Sequence, residues 1–449
     1  MRPMTSRSAL PLLLSLAACS SADAGALATT GLESGPSGAT DVSGKTGSTL
    51  DPTGAESSGG DVTGDDTSAD TGTSGISGTT GDPTGGPLDE PVLPLDGPCL
   101  LGPASPGRLA VITNDFIEPA SLHVLDLASQ KLSADITLVP SDPALAWGAG
   151  KLVVLGRYGF NTLDVLDGDT YASLSTHSVK IDGVADANPQ ALTFGPDDRA
   201  YLTAFASATL PIYDLDKPPA EAVVGGLDLA ALADRDGSPE PGVSFTCGGT
   251  LIVGIQRLVN FVPVDLSYLV AVDLGTGAPI DLDPDTDGPQ GLPLLGPWPK
   301  QVRNDPADPT GHKVLVLTSG IERVDLVYAT SSWAVTPEQL AAVGIEGYDL
   351  QAFEVAADGA SAYVLTTDGD YPASAVYHVT LDDASAPTPL VTGLTTRERV
   401  IERIADRLWI GDADPEDSRL RIFDLTQDPA AELPPIPSPG APYLFLPIP

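Results

Sequence analysis

Residues 161–181 read NTLDVLDGDTYASLSTHSVKI. A β-prone run up to Leu166 breaks at Asp167-Gly168, and a second β-prone run follows. Asp and Gly between two such runs signal a turn, because Asp accepts nearby amides and Gly tolerates positive φ. The stretch predicts a hairpin, and its surroundings decide whether it stands alone. It does not.

Past residue 100 the same arrangement recurs. First strands read GRLAVIT, GKLVVLG, DRAYLTA, GTLIVGI, HKVLVLT, SAYVLTT and DRLWIGD. Second strands read LHVLDL, LDVLDG, LPIYDL, LVAVDL, IERVDL, VYHVTL and LRIFDL. Their marker positions are Asp126, Asp167, Asp214, Asp273, Asp325, Thr380 and Asp424, spaced 41 to 59 residues apart. A four-stranded propeller blade takes about 40–50 residues. A weaker run precedes most pairs (ALTFG, QAFEVAADG) and another follows (ADITLVP, SLSTHSV). The first repeat lacks a clear innermost strand, which the final residues APYLFLPIP can supply. The expected fold is all-β, a seven-bladed β-propeller over 89–449 that protects its sheet edges by radial repetition. Seven equivalent markers cannot all be catalytic, so the aspartates read as turn residues.

The opening stretch and its continuation NPQALTFGPDDRAYLTA, together Asn161–Ala204, resemble the bacterial YVTN-type propeller repeat. LQAFEVAADGASAYVLTTDGD, within Leu350–Tyr377, repeats the likeness, while blades four and five diverge most. The resemblance implies an exported propeller, in a family that ranges from adhesive surface proteins to lactonase-like enzymes. Fold alone does not choose between them.

The N-terminus reads as an address. Arg2 and Arg7 precede an apolar run, Ala9–Ala18, too short to span a bilayer. Its end, Leu16-Ala17-Ala18-Cys19, resembles a lipobox, which implies a leader over 1–18 and acylation of Cys19. Several acyl chains give stable anchoring where one is marginal. Ser20 after the cysteine implies sorting to the outer membrane by the same resemblance. Ordinary secretion with cleavage after Ala22-Asp23-Ala24 is the alternative. Residues 19–88 are Gly-, Ser-, Thr- and Asp-rich, and the chain has no aromatic residue before Phe116. Such a segment is expected to be a disordered stalk, spanning about 40–50 Å root-mean-square.

The formal net charge is -39, from 61 acidic and 22 basic residues, and 48 acidic against 19 basic lie beyond residue 98. Nucleic acid is excluded as a partner, because phosphate binding needs clustered Lys and Arg. Cys99 and Cys247 remain once Cys19 is assigned to the anchor, and a disulfide between them suits an oxidising compartment.

Three loops between first and second strands are acidic. They hold Asn114, Asp115 and Glu118; Asp368 and Asp370; and Asp412, Asp414 and Asp417. Ring closure would make their blades neighbours, and such oxygen ligands would suit calcium. DLDPDTDGPQG offers Asp283, Asp285 and Asp287 as half of a calcium loop, but Leu294 stands at the twelfth position, where Glu is needed. A solvated acidic rim explains both sets as well. No G-x-S-x-G, H-E-x-x-H, Walker or C-x-x-C motif occurs. His123, His177, His312 and His378 are dispersed, and Trp147, Trp298, Trp333 and Trp409 read as packing. Arg157, Tyr158 and Arg257 lie on loops that could meet a ligand. The expected function is a membrane-anchored binding or scaffold module for a protein or glycan at the propeller face. A metal-dependent, lactonase-like hydrolase is the rival.

Overall fold

The computed structural model describes residues 91–449, apart from 104, 115–118, 235, 260–261, 264–265, 284–289, 347–349, 368–372 and 397–399. The leader, Cys19 and the stalk lie outside the described residues. Residues 161–181 form the strands Thr162–Asp167 and Ser173–Ser178, paired antiparallel. These are strands c and d of a sheet whose strands a and b are Pro143–Gly148 and Lys151–Gly156. The order a-b-c-d, from the central channel outward, recurs around a seven-bladed β-propeller.

This sheet is blade 2. The inner strands of blades 3 to 7 are Pro189–Phe194, Pro241–Cys247, Gln301–Asn304, Leu350–Val355 and Ile401–Ile404. Blade 1 takes its inner strand from the far end of the chain. Pro442–Ile448 pairs antiparallel with Arg108–Thr113, with Val111 opposite Phe445. Sequence-adjacent blades are thus joined into a ring by one non-local strand. Pro143, Pro189, Pro241 and Pro442 each begin an inner strand. An edge strand tolerates proline at its first residue, where no ladder donor is missed.

The b strands read as unbroken apolar runs because each sheet is covered on both faces by its neighbours. Leu152, Val153, Val154 and Leu155 are all fully buried, as are Val314 to Leu317. Outer strands meet water, and Ser173–Ser178 is mostly exposed. The core lies between blades. Val153, Leu155 and Val165 of blade 2 pack with Leu202 and Tyr213 of blade 3. Each such side chain contributes about 1.5–3 kcal/mol on burial.

Antiparallel succession puts the a–b and c–d turns on one face of the ring, the turn face, and the b–c and d–a connections on the other, the loop face. The recurring aspartates sit at the c–d turns. The Oδ1 atoms of Asp126, Asp167, Asp214, Asp273, Asp325 and Asp424 each accept a backbone N–H two or three residues ahead, at 2.7–3.2 Å. Their role is to shape turns.

Several features depart from the simple repeat, among them the outer strand of blade 1, which is in two pieces, Lys131–Leu132 and Thr137–Val139. Thr336 opens a single helical turn, Pro337–Ala341, through a capping box with Gln339. Blade 4 carries additions: a hairpin of Leu258–Val259 and Val262–Pro263 in its b–c loop, and an outer strand in two pieces, Ala278–Ile280 and Leu292–Pro293. Cys99–Leu100 adds to its inner strand, with Cys99 opposite Cys247 and the two joined by a disulfide.

Candidate functional site

The loop face is where sequence placed its candidate residues, and the structure describes some of them. Asp412, at the end of strand b of blade 7, is 3% exposed. It accepts the Thr395 N–H at 3.2 Å, and Arg419 and Arg421 approach its Oδ2 at 3.4 and 3.9 Å. The carboxylate ties blade 7 to the last strand of blade 6. Asp414 accepts the Glu416 N–H at 2.9 Å and shapes the turn, while Asp417 pairs with Arg419 at 2.6 Å. Asn114 donates Nδ2 to the Ser141 carbonyl at 2.5 Å. Asp283 is exposed, on the loop between the two pieces of the outer strand of blade 4. Asp115, Glu118, Asp285, Asp287, Asp368 and Asp370 lie outside the described residues. Among the described residues, no group of three or more His, Cys, Asp or Glu is arranged to hold a metal.

Blade 2 presents a different surface in its b–c turn. Arg157 donates Nε and Nη2 to Asp142 Oδ1, at 3.0 and 2.5 Å, and Nη2 also reaches the Tyr443 hydroxyl at 3.3 Å. The Phe160 N–H closes the turn on the Arg157 carbonyl at 2.8 Å. Gly159 takes φ +79°, which glycine alone adopts without strain, and its N–H meets Asp186 Oδ2 at 3.0 Å. Asn161 Oδ1 accepts the Asn188 N–H at 3.0 Å. This well-tied turn leaves Tyr158 66% and Phe160 47% exposed. On blade 4, Arg257 has φ +54° and lies 5.3 Å from the centre of the Tyr268 ring.

The channel holds a cluster that sequence reading missed. Arg303 of blade 5 donates Nε to Glu354 of blade 6 at 2.8 Å, Nη2 to the same oxygen, and Nη2 to Glu402 of blade 7 at 3.2 Å. All three residues lie on inner strands, so the guanidinium passes the inner edge of blade 6 to reach both carboxylates. Burial raises the carboxyl of Glu354, and burial with the Glu354 charge raises that of Glu402 to about 8. Their spacing of about fifty residues in three weak strands hid them. A charged residue in each inner-strand run was the available signal. Just before the inner strand of blade 4, burial lifts Glu240 to about 7 while its Oε2 accepts the Leu258 N–H.

His123 and His177 are both 1% exposed and structural. His123 Nε2 lies 3.1 Å from Thr113 Oγ1, and His177 Nε2 lies 2.8 Å from Ser175 Oγ. Trp409 is buried between blades, as expected of a packing residue.

Neither a family model nor a curated protein matches the sequence. Solved structures do resemble the fold. The periplasmic gluconolactonase of Pseudomonas aeruginosa aligns with a TM-score of 0.50 at 14% identity, over 76% of this chain and 99% of that one. A functionally unknown protein from Desulfotomaculum acetoxidans aligns with a TM-score of 0.49 at 14% identity over the same shares. A Lactobacillus plantarum protein does so with a TM-score of 0.49 at 13% identity. At such identity the likeness shows architecture alone, and by that architecture the chain is a seven-bladed β-propeller.

Proposed function

We propose that this chain is an exported, lipid-anchored propeller that binds a protein or glycan of the cell envelope or its surroundings through its loop face. The observation that carries the reading is the b–c turn of blade 2. It holds Tyr158 and Phe160 out in water on a backbone fixed by Arg157, Asp186 and Asn161. Aromatic side chains on a pre-ordered backbone bind at low entropic cost and dominate interface energetics. The chain enters the propeller at the turn face, where the Val92 N–H meets the Val327 carbonyl. The loop face is at the opposite end of the ring from that entry. A disulfide between Cys99 and Cys247 suits an oxidising compartment, in keeping with anchoring through Cys19. Calcium at the acidic loops of blades 6, 7 and 1, or at Asp283, Asp285 and Asp287, belongs to the same proposal.

The test immobilises the mature chain and presents solubilised outer-membrane proteins and envelope polysaccharide separately, with and without calcium. The double change Tyr158→Ala and Phe160→Ala should lower retention of the bound class at least tenfold, a loss of about 1.4 kcal/mol or more. The melting temperature should stay unchanged. Undiminished retention contradicts the proposal. Metal-dependent lactone hydrolysis, lost in a folded Asp412→Ala variant, would favour the hydrolase instead.

A further inference from the structure

Residues 91–103, with 105–107, form a strap that begins beneath blades 4 and 5 and precedes the first blade. The Val92 and Leu93 N–H groups donate to the Val327 carbonyl, at a c–d turn, at 2.8 and 3.1 Å. Leu93 is fully buried, and Val92, Leu95 and Leu101 pack against the core of the same two blades. Asp96 Oδ1 accepts the Gly249 N–H at 2.8 Å, and the Cys99 N–H donates to the Gly311 carbonyl at 2.9 Å. Gly248 has φ +57°, and a Cβ there would fall 1.9 Å from Asp96 Oδ1 and 2.8 Å from Gly97 N. Only glycine lets the strap lie so close to this turn.

Cys99–Leu100 then pairs with the channel edge of the inner strand of blade 4. Among the described residues, no other blade has a strand added at that edge. Among the described residues, the next backbone hydrogen bond along the chain anchors Gly107, whose N–H donates to the Ile448 carbonyl at the turn-face end of blade 1. Blades 1 and 4 stand across the ring from each other. The described residues 101–103 and 105–107, which run from blade 4 to blade 1, therefore lie across the turn-face mouth of the channel.

We propose that the Cys99–Cys247 disulfide is the latch that keeps this strap across the channel mouth and passes a pull on the N-terminal chain into blade 4. Without it, the strap is held at blade 4 by a two-residue ladder, a few hydrogen bonds and the packing of Leu93, Leu95 and Leu101. The ring does not need the strap, because Pro442–Ile448 closes it independently. The disulfide is shielded, with Cys99 4% and Cys247 0% exposed, so a thiolate reaches it only when the strap lifts. Reduction by a dithiol passes two electrons and two protons to the S–S bond. It leaves two cysteine thiols and the cyclic disulfide of the reductant. The inference stands whether or not Cys19 is acylated.

Limited proteolysis read by mass spectrometry tests it on the mature chain in three forms: oxidised, reduced with dithiothreitol, and Cys99→Ser/Cys247→Ser. The oxidised chain should resist cleavage within 91–107. The other two should be cut there at least tenfold faster, while 108–449 persists as one protected, cooperatively melting fragment. The reduced wild-type chain supplies the readout if the double variant does not fold. In Leu93→Asp with the disulfide intact, cleavage should speed up before residue 99 but not between 100 and 107. Equal resistance without the bond overturns the latch, and so does simultaneous loss of strap and propeller.

Discussion

Glu402 shows how one buried side chain makes the stability of the ring depend on pH. Its carboxyl shares the edge of the channel with Glu354, and one guanidinium, Arg303, serves both. Glu402 rises from an ordinary value of 4.5 to about 8, so the folded chain binds a proton that the unfolded chain releases. A raised carboxyl contributes stability that is complete below 4.5 and is lost as pH rises through about 8. Glu240 acts in the same direction, up to about 7. His177, lowered by burial, acts oppositely and costs stability as pH falls below 6.5. Comparison with Glu402→Gln isolates the first effect. The melting temperature of the variant should fall less steeply between pH 5 and pH 8 than that of the wild-type chain, and parallel profiles would refute the assignment. Three of the turn aspartates, Asp126, Asp167 and Asp424, titrate the other way, as when the Thr170 hydroxyl holds the Asp167 carboxyl below its usual range. Those aspartates were legible in sequence because a turn is local. Glu354 and Glu402 were not, because their partner comes from another blade.

At the scale of the element, the b and c strands announce themselves and the edge strands do not. Strand b of blade 2, Lys151–Gly156, is buried on both faces, so its code is a simple apolar run. Inner strands such as Gln301–Asn304 mix polar and apolar residues, because one edge meets the channel. Blade 4 diverged in sequence because it accommodates a hairpin, a long insertion between the two pieces of its outer strand, Ala278–Ile280 and Leu292–Pro293, and the strap. The helical turn at Pro337–Ala341 was not anticipated from the sequence, and the structure shows that Thr336 and Gln339 form its capping box. The C-terminal strand was readable only through what blade 1 lacked. Phe445 on that strand is 6% exposed and packs with Leu109, Val111 and residues of blade 7. Phe445→Ala should cost about 3–5 kcal/mol of unfolding free energy in urea, as expected for a large aromatic removed from a packed core. A loss below about 1 kcal/mol would mean that this seam is not part of the cooperative core.

At the scale of the whole propeller, residues 91–449 as described form a closed ring with two unlike faces. One bears the tied turns, the chain entry and the strap; the other bears the loops with Tyr158, Phe160 and the acidic residues that are described. An excess of acidic residues over the whole chain favours neutral or basic partners at that second face. Period and alternation revealed the ring, because each blade repeats one local unit. The loop face was expected from the b–c loops, whereas the cluster of Arg303, Glu354 and Glu402 in the channel emerged only once distant residues were brought together. Hydrogen–deuterium exchange of the hydrogen-bonded amides in Pro442–Ile448 tests ring closure most directly. Closure by this strand predicts that they exchange only through global opening, as slowly as those of Lys151–Gly156. Rapid exchange like that of a frayed terminus, with the rest of the propeller still protected, would contradict it.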